Sequence, residues 1–398
     1  KGGACELPVL LVRTYSLVMK HLGRNAAAFF YDIANAYYSA VRSLFSTTFS
    51  LPGDLDSIVL SMYGAHMFLE ATQRMLQAPG VLDKWAAEDM EKTHLLQLLS
   101  DAHVGAWFCV KGVDLIGRPA RGSRPGDPLA DVLYNVMLAP ILFEISDQLD
   151  SAGLLFKPQV SEHVFSSECR DKPICDATFA DDTTFLVAFQ SNVPGQVRSA
   201  ITEAAGIIDR SFQLRALAPN YAPGKSAVVL QCNGPGSKKL RTDILVHHQS
   251  VACVGETKSQ ICIVPSYKHL GTLASAGTAL SCEVVERLRR HGQAMAPVRR
   301  ALFPRGFGPN LKVLYINSLT TCLLHTHSGA WEAVSQQALN KLDSAQAWTY
   351  RQASGAKWKE GQNNAANDGH RLIWSSSGLR PSAHCENPCV SSHRPHCR

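Results

Sequence analysis

The chain has 398 residues, of which 45% are hydrophobic and 18% are charged, against about 25% charged in an ordinary soluble domain. This apolar fraction and a formal net charge of only +6 exclude disorder over the whole length. A membrane span is excluded because the longest apolar stretch, residues 129–145, is interrupted by polar residues and a proline. No secretory leader follows Lys1, so we expect a fragment of an intracellular protein, nuclear or cytoplasmic, whose twelve cysteines are mostly reduced and buried.

Hydrophobic periodicity and turn signals predict both helices and strands. Helices are expected over residues 5–24, 35–45, 54–76, 79–102, 128–149 and 194–215. Strands are expected over residues 26–31, 104–115, 177–180, 183–189 and 226–232, followed by strand-like pieces to residue 271. A mainly helical region then runs to about residue 351, and the polar segment 351–398 is expected to be a loosely ordered tail. Because the strands mix with helices without strict alternation, the predicted class is α+β.

Positive charge concentrates between Glu283 and Tyr315. Seven basic residues lie there: Arg287, Arg289, Arg290, Arg299, Arg300, Arg305 and Lys312. Two acids oppose them, so this stretch carries +5 and the remainder of the chain is close to neutral. A basic segment on a near-neutral body is typical of a phosphate-backbone contact surface. From charge alone, a solvated helix face is the alternative.

Three aspartates stand at the ends of apolar strands. Asp32 ends one strand, where a buried carboxylate is costly unless a cation accompanies it. Asp181 and Asp182 lie between two further strands, where such a pair alone is commonly turn chemistry. Together the three predict carboxylates that converge from adjacent strands, which is a site for hard divalent cations. Such a site supports in-line phosphoryl transfer with two ions about 3.5–4 Å apart.

Five segments in this order resemble motifs A to E of reverse transcriptases. They are Phe29–Tyr38, Gly122–Asp131 with Asn135 downstream, Phe179–Asp182, Ala222–Ser226 and Tyr267–Gly271. The non-LTR (LINE-like) retrotransposon branch is the nearest resemblance, and it covers residues 25–275.

The resemblance implies a right-hand polymerase fold, with an antiparallel palm sheet flanked by helices. Residues 1–24 would be residual fingers, residues 25–280 the palm, residues 281–350 a helical basic thumb, and residues 351–398 the tail. The implied function is RNA-directed DNA polymerase activity, in which a DNA primer is extended on an RNA template from deoxynucleoside triphosphates. Two Mg²⁺ ions are the implied cofactors, with Mn²⁺ as a substitute, and the oligomeric state stays open.

The resemblance also implies roles for individual residues. Asp32, Asp181 and Asp182 would hold the metal ions, and the backbone carbonyl of Ile33 would complete the metal shell. Lys225 would protonate the leaving pyrophosphate, although a solvated turn lysine is the alternative.

The implied nucleotide contacts come from three further residues. Tyr37 would exclude the ribose 2′-hydroxyl, and a packed core tyrosine is the alternative. Gly126 would let the backbone approach the nucleotide or template closely. Arg124 would reach a phosphate or remain a solvated loop arginine.

Two departures from the family pattern leave a second function open. Pro125 stands where glutamine is common, and residues 1–24 enter the fingers partway, so the basic residues that hold the triphosphate are not among them. The alternative is therefore a catalytically degenerate domain that only binds nucleic acid, and whether this fragment is active by itself stays open. An RNA-dependent RNA polymerase is a third possibility, which Tyr37 disfavours.

The tail contains four soft ligands at short spacing: Cys385, Cys389, His393 and Cys397. They could form a tetrahedral zinc site. The spacing is shorter than in zinc knuckles of related retrotransposon proteins, and a tail that binds no metal is the alternative.

Overall fold

The computed structural model describes most of the first 354 residues. The described ranges are 5–40, 42–46, 78, 80–87, 89–104, 107–109, 111–112, 114–117, 122, 129–158, 173–252, 259–277, 280–302, 307–326, 328–331 and 334–354. The chain divides into two compact units, residues 1–279 and residues 280–398. The structure is mixed α+β, as predicted.

The first unit contains eight named helices and ten strands within its described part. The helices are α1 (Glu6–His21), α2 (Ala36–Ser39), α3 (Arg42–Phe45), α4 (Val81–Ala86), α5 (Met90–Val104), α6 (Ala130–Ser151), α7 (Pro194–Gln213) and α8 (Ser237–Thr242), which continues as a π-helical turn over Asp243–His247. The strands are β1 (Asn25–Tyr31), β2 (Phe108–Cys109), β3 (Ile116–Gly117), β4 (Asp176–Phe179), β5 (Asp182–Phe189), β6 (Ala227–Gln231), β7 (Ser250–Ala252), β8 (Gln260–Val264), β9 (Ser266–His269) and β10 (Thr272–Ser275).

Six of these strands form one sheet in the order β4-β5-β1-β6-β8-β7. The β6–β8 pair is parallel and the other pairs are antiparallel. β1 lies in the interior of the sheet between β5 and β6, and all seven of its residues are buried. A strand covered on both faces reads as a continuous apolar run, which is why Ala26–Tyr31 was identifiable from sequence.

The two faces of β1 contribute to different cores because successive side chains point to opposite sides. Phe29 and Tyr31 join the larger core with α6 and α7. Ala28 and Phe30 join a second core with α1 on the other face. The two cores therefore pack on both faces of β1. This packing fixes the position of its carboxyl end and of the residues that follow it.

Four predicted elements differ from the observed ones. The strand expected over 104–115 is, within the described residues, two short strands, Phe108–Cys109 and Ile116–Gly117, and residue 104 ends helix α5. The helix expected over residues 35–45 is two four-residue helices, because Ala40 has an extended conformation and its carbonyl accepts a hydrogen bond from Gly122. The helix expected over 79–102 breaks between α4 and α5, where the Asp89 side chain accepts from the amide of Glu91. The prediction of strand-like structure after residue 231 was wrong for residues 237–247. These residues are helical, and Leu240 and Ile244 are buried at helical spacing. The whole helix expected over 54–76 and residues 355–398 of the predicted tail lie outside the described residues, whereas residues 351–354 belong to a helix.

The described part of the second unit is helical. It comprises α9 (Ser281–Leu302), α10 (Pro309–Tyr315) with a π-helical continuation over Ile316–Thr321, α11 (Cys322–His325), a 3₁₀ turn at Ser328–Ala330, and α12 (Gln336–Ser354). Val284, Leu324, Ala338 and Leu342 form its core. The helical prediction for this region is confirmed where the structure describes it.

The cysteine prediction was partly wrong. All seven cysteines that the structure describes are free thiols, but only Cys175 and Cys232 are buried, whereas four are exposed. Among the described residues, no helix is both long and apolar enough to cross a membrane.

Candidate carboxylate site

Asp32 and Asp182 lie at the same end of two paired strands. Tyr31 on β1 is the partner of Thr183 on β5 in an antiparallel ladder. The next register position would place Asp32 opposite Asp182, and side chains at directly opposite positions share one face of the sheet. Like charges at such positions are destabilising, so the pair is a feature that folding alone does not favour.

Asp181 is added by the two-residue turn between β4 and β5. Phe179 pairs with Asp182, which leaves Ala180 and Asp181 as the turn. Ala180 has a φ of 56°, a left-handed conformation that costs a residue with a Cβ roughly 1–2 kcal/mol. The turn thus holds Asp181 beside Asp182 with a strained residue in a position where glycine is usual.

The segment 218–226 holds the end of β1. The amides of Ala34 and Asn220 donate to the carbonyls of Ala218 and Asp32 at 2.9 and 2.8 Å, which form a bridge between Ile33 and Pro219. Because the neighbours of Ile33 make these bonds, its own carbonyl is left on the side of the strand away from Pro219. That orientation is compatible with the metal-shell role that sequence resemblance implied.

Both carboxylate oxygens of Asp32 have partners from this segment. Lys225 Nζ lies 3.4 Å from Oδ1, and the Asn220 side-chain amide donates to Oδ2 at 3.1 Å. The Asp32 amide donates to the Ser226 hydroxyl at 3.1 Å. Asn220 was not identified from sequence. Its position just before the Tyr-Ala-Pro-Gly-Lys turn gave no chemical signal, and only the folded chain brings it to Asp32.

The protonation of Asp182 responds to its neighbours. Burial raises the pKa of Asp182, and the charges of Asp181 and Asp32 raise it further, while Lys225 opposes the shift. The Asp32 side chain is 27% exposed, so the site is open to solvent on one side. A bound cation would relieve the repulsion among the three, which is the electrostatic condition for a hard-cation site.

The chemistry of the donors fits Mg²⁺, because all three offer carboxylate oxygens. Across the described ranges, however, no three His, Cys, Asp or Glu side chains are grouped closely enough to hold one ion as they stand. Both oxygens of Asp32 are engaged, one by Lys225 and the other by Asn220. A metal ion at Asp32 would therefore replace at least one of these contacts.

Tyr37 belongs to this site through α2 and α6. Its hydroxyl donates to the Asp131 carboxylate, and its ring centroid lies 5.0 Å from that of Tyr134. Burial, this hydrogen bond, and then the charges of Asp131, Asp181 and Asp182 raise the pKa of Tyr37. Burial and the Asp181 charge likewise raise the pKa of Tyr134. Tyr37 therefore stands within electrostatic reach of the carboxylates, half-buried, with a fixed hydroxyl.

Gly122 packs against the chain that carries Tyr37. Its φ is 97°, and a Cβ there would come within 3.2 Å of the Tyr37 carbonyl, so the position requires glycine. Its carbonyl accepts a hydrogen bond from the buried Arg42 side chain at 3.1 Å. The first residue of the predicted motif B thus supports Tyr37. Arg124, Pro125 and Gly126 lie outside the described residues.

Tyr267 and His269 lie on the face of the sheet that carries Phe30, near the same end. The Tyr267 ring stacks on Phe30 with centroids 4.5 Å apart. Burial, Asp182 and Asp32 raise its pKa to about 12. His269 is buried next to Thr184 at 3.4 Å, and burial lowers its pKa to about 4, so it is neutral at pH 7. Motif E of the sequence prediction therefore lies near the carboxylates.

The basic stretch of residues 283–315 differs from the expectation. Arg287 is buried and ion-paired with Glu283 at 2.6 Å, and both Arg289 and Arg290 are paired with Glu286. Arg299 covers the Trp348 ring, and the Lys312 ammonium donates to the Ala353 carbonyl. The prediction that Arg287 belongs to an exposed phosphate-contact surface was wrong, since helical spacing places Glu283 one turn before it.

Comparisons with known proteins leave the family open. No family model matches the chain, and no curated protein is similar to it.

Proposed function

We propose that this chain is an RNA-directed DNA polymerase that extends a DNA primer on an RNA template. The observation that carries the proposal is the set of Asp32, Asp181 and Asp182 at the ends of two paired strands, with Lys225 beside it and Tyr37 facing it. Resemblance of the sequence to reverse transcriptases supplies the reaction. In this proposal the six-stranded sheet is the palm of a right-hand fold, residues 281–350 are the thumb, and the parent protein is a retrotransposon polymerase.

Each residue then has a task. Asp32, Asp181 and Asp182 would hold two divalent cations, Mg²⁺ or in its place Mn²⁺. Such ions, once bound, would lower the pKa of the primer 3′-hydroxyl and neutralise charge on the departing pyrophosphate. Lys225 would move from Asp32 to the pyrophosphate and give it a proton. Tyr37, fixed by Asp131 and Tyr134, would close the space that a ribose 2′-hydroxyl needs.

The test is primer extension on an RNA template with Mg²⁺ and deoxynucleotides, using the full chain. We expect extension by the unaltered protein and none by the Asp181→Ala, Asp182→Ala double variant, because the ions lose two ligands. A matched control removes two exposed acids elsewhere, Asp114→Ala and Asp343→Ala, and should extend normally. Extension that survives in the first double variant would overturn the assignment of these carboxylates.

A second function is favoured by the state of Asp32. Both of its carboxylate oxygens are engaged by Lys225 and Asn220. A domain that binds nucleic acid without catalysis would keep these contacts permanently. It predicts no extension under any metal condition, together with salt-sensitive binding of an RNA–DNA hybrid by the same preparation.

A further inference from the structure

Three chain connections meet at the end of the six-stranded sheet opposite the carboxylates. They are the α1–β1 turn at residues 22–24, the β5–α7 connection at 190–193, and the β6–α8 connection at 232–236. β1 is antiparallel to both of its neighbours, with Asn25 opposite Phe189 and Ala26 opposite Gln231. The beginning of β1 and the carboxyl ends of β5 and β6 therefore lie at the same end of the sheet. On β1 this end is seven residues away from Asp32.

Hydrogen bonds tie these connections together. Asn25 is fully buried, and its side-chain amide donates to the Ser191 carbonyl at 3.0 Å and to the Asn192 side chain at 2.7 Å. Its Oδ1 accepts from the amide of Asn233 at 2.8 Å. A Cβ at Gly234 would overlap the carbonyl of Gly23, so the first and third connections are also in direct backbone contact. This end of the sheet is therefore a fixed platform within the first unit.

The platform and its flanks carry a large excess of positive charge. Segments 20–25, 190–200 and 232–248 contain one acid, Asp243, against six lysines and arginines: Lys20, Arg24, Arg198, Lys238, Lys239 and Arg241. Three histidines, at positions 21, 247 and 248, are also in these segments. We name this group of three segments the basic end. Its formal charge is +5, whereas the whole chain carries +6.

Five of the six lysines and arginines of the basic end are exposed, and Arg198 is half-buried. Buried Leu240 and Ile244 anchor α8 and its continuation, so Lys238, Lys239 and Arg241 remain exposed. Arg24 is exposed and its guanidinium lies over the Phe156 ring, at 5.9 Å from the centroid. Arg198 contacts His248 at 3.1 Å, which joins α7 to the turn after α8. The charges thus spread over a surface built from several elements.

We propose that the basic end is a second nucleic-acid-binding surface, which holds the phosphodiester backbone of RNA or DNA without sequence preference. A spread of exposed cations suits a polyanionic strand, because each neutralised phosphate releases counterions. The three segments contain no Phe, Tyr or Trp. Stacking on bases and the aromatic anchors typical of protein interfaces are therefore both missing from them, which favours backbone contacts to nucleic acid over an acidic protein partner.

This surface goes beyond the polymerase reaction and does not depend on it. Because it lies at the other end of the sheet from the carboxylates, it would retain a strand whose 3′-end has left them. Variants of the basic end should therefore weaken nucleic-acid binding without changing catalysis at the carboxylates. Variants of the carboxylates should abolish catalysis without weakening binding at the basic end.

The test measures binding of a labelled single-stranded RNA by fluorescence anisotropy at several salt concentrations. The variant Lys238→Gln, Lys239→Gln, Arg241→Gln should weaken binding at least about tenfold at moderate salt. It should also reduce the slope of log affinity against log salt by about 2, since each lost single-strand phosphate contact removes roughly 0.7. A charge-matched control, Lys84→Gln, Lys111→Gln, Lys341→Gln, removes three exposed lysines elsewhere and should change neither quantity.

Two further arms separate the alternatives. An Asp181→Asn, Asp182→Asn variant should bind the RNA at least as tightly as the unaltered protein, even if the polymerase proposal fails. The proposal would be overturned if the basic-end variant and its control lost RNA affinity equally, or if neither lost any. Competition by polyglutamate as effective as that by unlabelled RNA of equal charge would also overturn it, because the partner would then be an acidic protein.

Discussion

The two ends of the six-stranded sheet are opposite in charge and in construction. At one end lie Asp32, Asp181 and Asp182, with the Lys225 ammonium 3.4 Å from Asp32. At the other end six lysines and arginines accompany one aspartate. The carboxylates are half-buried, and burial and the charges of Asp181 and Asp32 raise the pKa of Asp182, whereas the lysines of α8 are exposed to solvent. Partial burial and like charge make the carboxylate end suitable for binding cations. Exposed positive charge makes the basic end suitable for binding a nucleic-acid backbone.

The second unit sharpens this contrast. Residues 283–315 carry the same formal charge of +5 as the basic end, yet much of it is satisfied within the helices. Arg287 is buried with Glu283, and two more arginines are paired with Glu286. These three arginines of α9 have acids at i−3 or i−4, whereas Lys238, Lys239 and Arg241 of α8 remain exposed. Charge density in the sequence therefore does not measure charge on the surface.

The largest effect should come from Lys225, the cation beside Asp32. Lys225→Met should lower the rate of primer extension by about 10²–10⁴-fold, because the pyrophosphate loses its proton donor. Hybrid binding should not change. The matched variant Lys239→Met, at the basic end, should leave the rate at saturating template unaltered. Rates from single-turnover extension distinguish the two, and equal rates for both variants would remove the assigned difference between the ends.

The buried pair in the second unit predicts a loss of stability. Arg287→Met should lower the free energy of unfolding by about 3–5 kcal/mol, since Glu283 is left buried without its partner. Arg289→Met, on the exposed side of the same helix, should leave the free energy of unfolding essentially unchanged. Urea unfolding measures both. The double variant Glu283→Leu, Arg287→Met should recover most of the loss, and an Arg287→Met protein of normal stability with weakened RNA binding would contradict the pairing.

His269 predicts how stability depends on pH. Its pKa is about 4 in the folded chain, below the 6.5 of an exposed histidine, so the unfolded chain binds more protons between these values. The stabilisation is complete above about pH 6.5 and is lost as pH falls toward 4, to a total of about 3 kcal/mol. Urea unfolding at pH 7 and pH 5 tests this, with His269→Gln expected to show a flatter dependence. If the unaltered protein and the His269→Gln variant lose the same stability between pH 7 and pH 5, groups other than His269 cause the loss.

The smallest predicted effect concerns sugar selection at the carboxylate end. Tyr37→Val should reduce the preference for deoxynucleotides over ribonucleotides by about tenfold or more, because the ring that fills the space is gone. Tyr37→Phe keeps the ring and loses only the hydrogen bond to Asp131, so it should retain most of the preference. The ratio of kcat/KM for the two nucleotides measures this. Unchanged discrimination in the valine variant would make Tyr37 a packing residue only.

Much of the first unit could be read from local sequence patterns. The apolar run before Asp32 predicted the central strand, and its continuous burial is what such a run indicates. The helices α1, α6 and α7 and the strands on both sides of Asp181 and Asp182 also follow their periodicity. The helix break at Ala40 was missed because it depends on a long-range hydrogen bond from Gly122, which only the folded chain forms. The break at Asp89 has a local signal that was overlooked, since the Asp89 side chain accepts from the amide two residues on.

The sequence by itself determined where the acidic groups sit, because strand ends and a two-residue turn are local features. It also determined the ion pairs of α9, since their partners are one helical turn apart. Only the tertiary structure decided that Asn220 and Lys225 engage Asp32, nearly two hundred residues away along the chain. Likewise, only the antiparallel pairing of β1 with β5 and β6 brought three mildly basic segments to one end of the sheet. Long-range contacts of this kind depend on register and packing of the whole sheet, which no local pattern encodes.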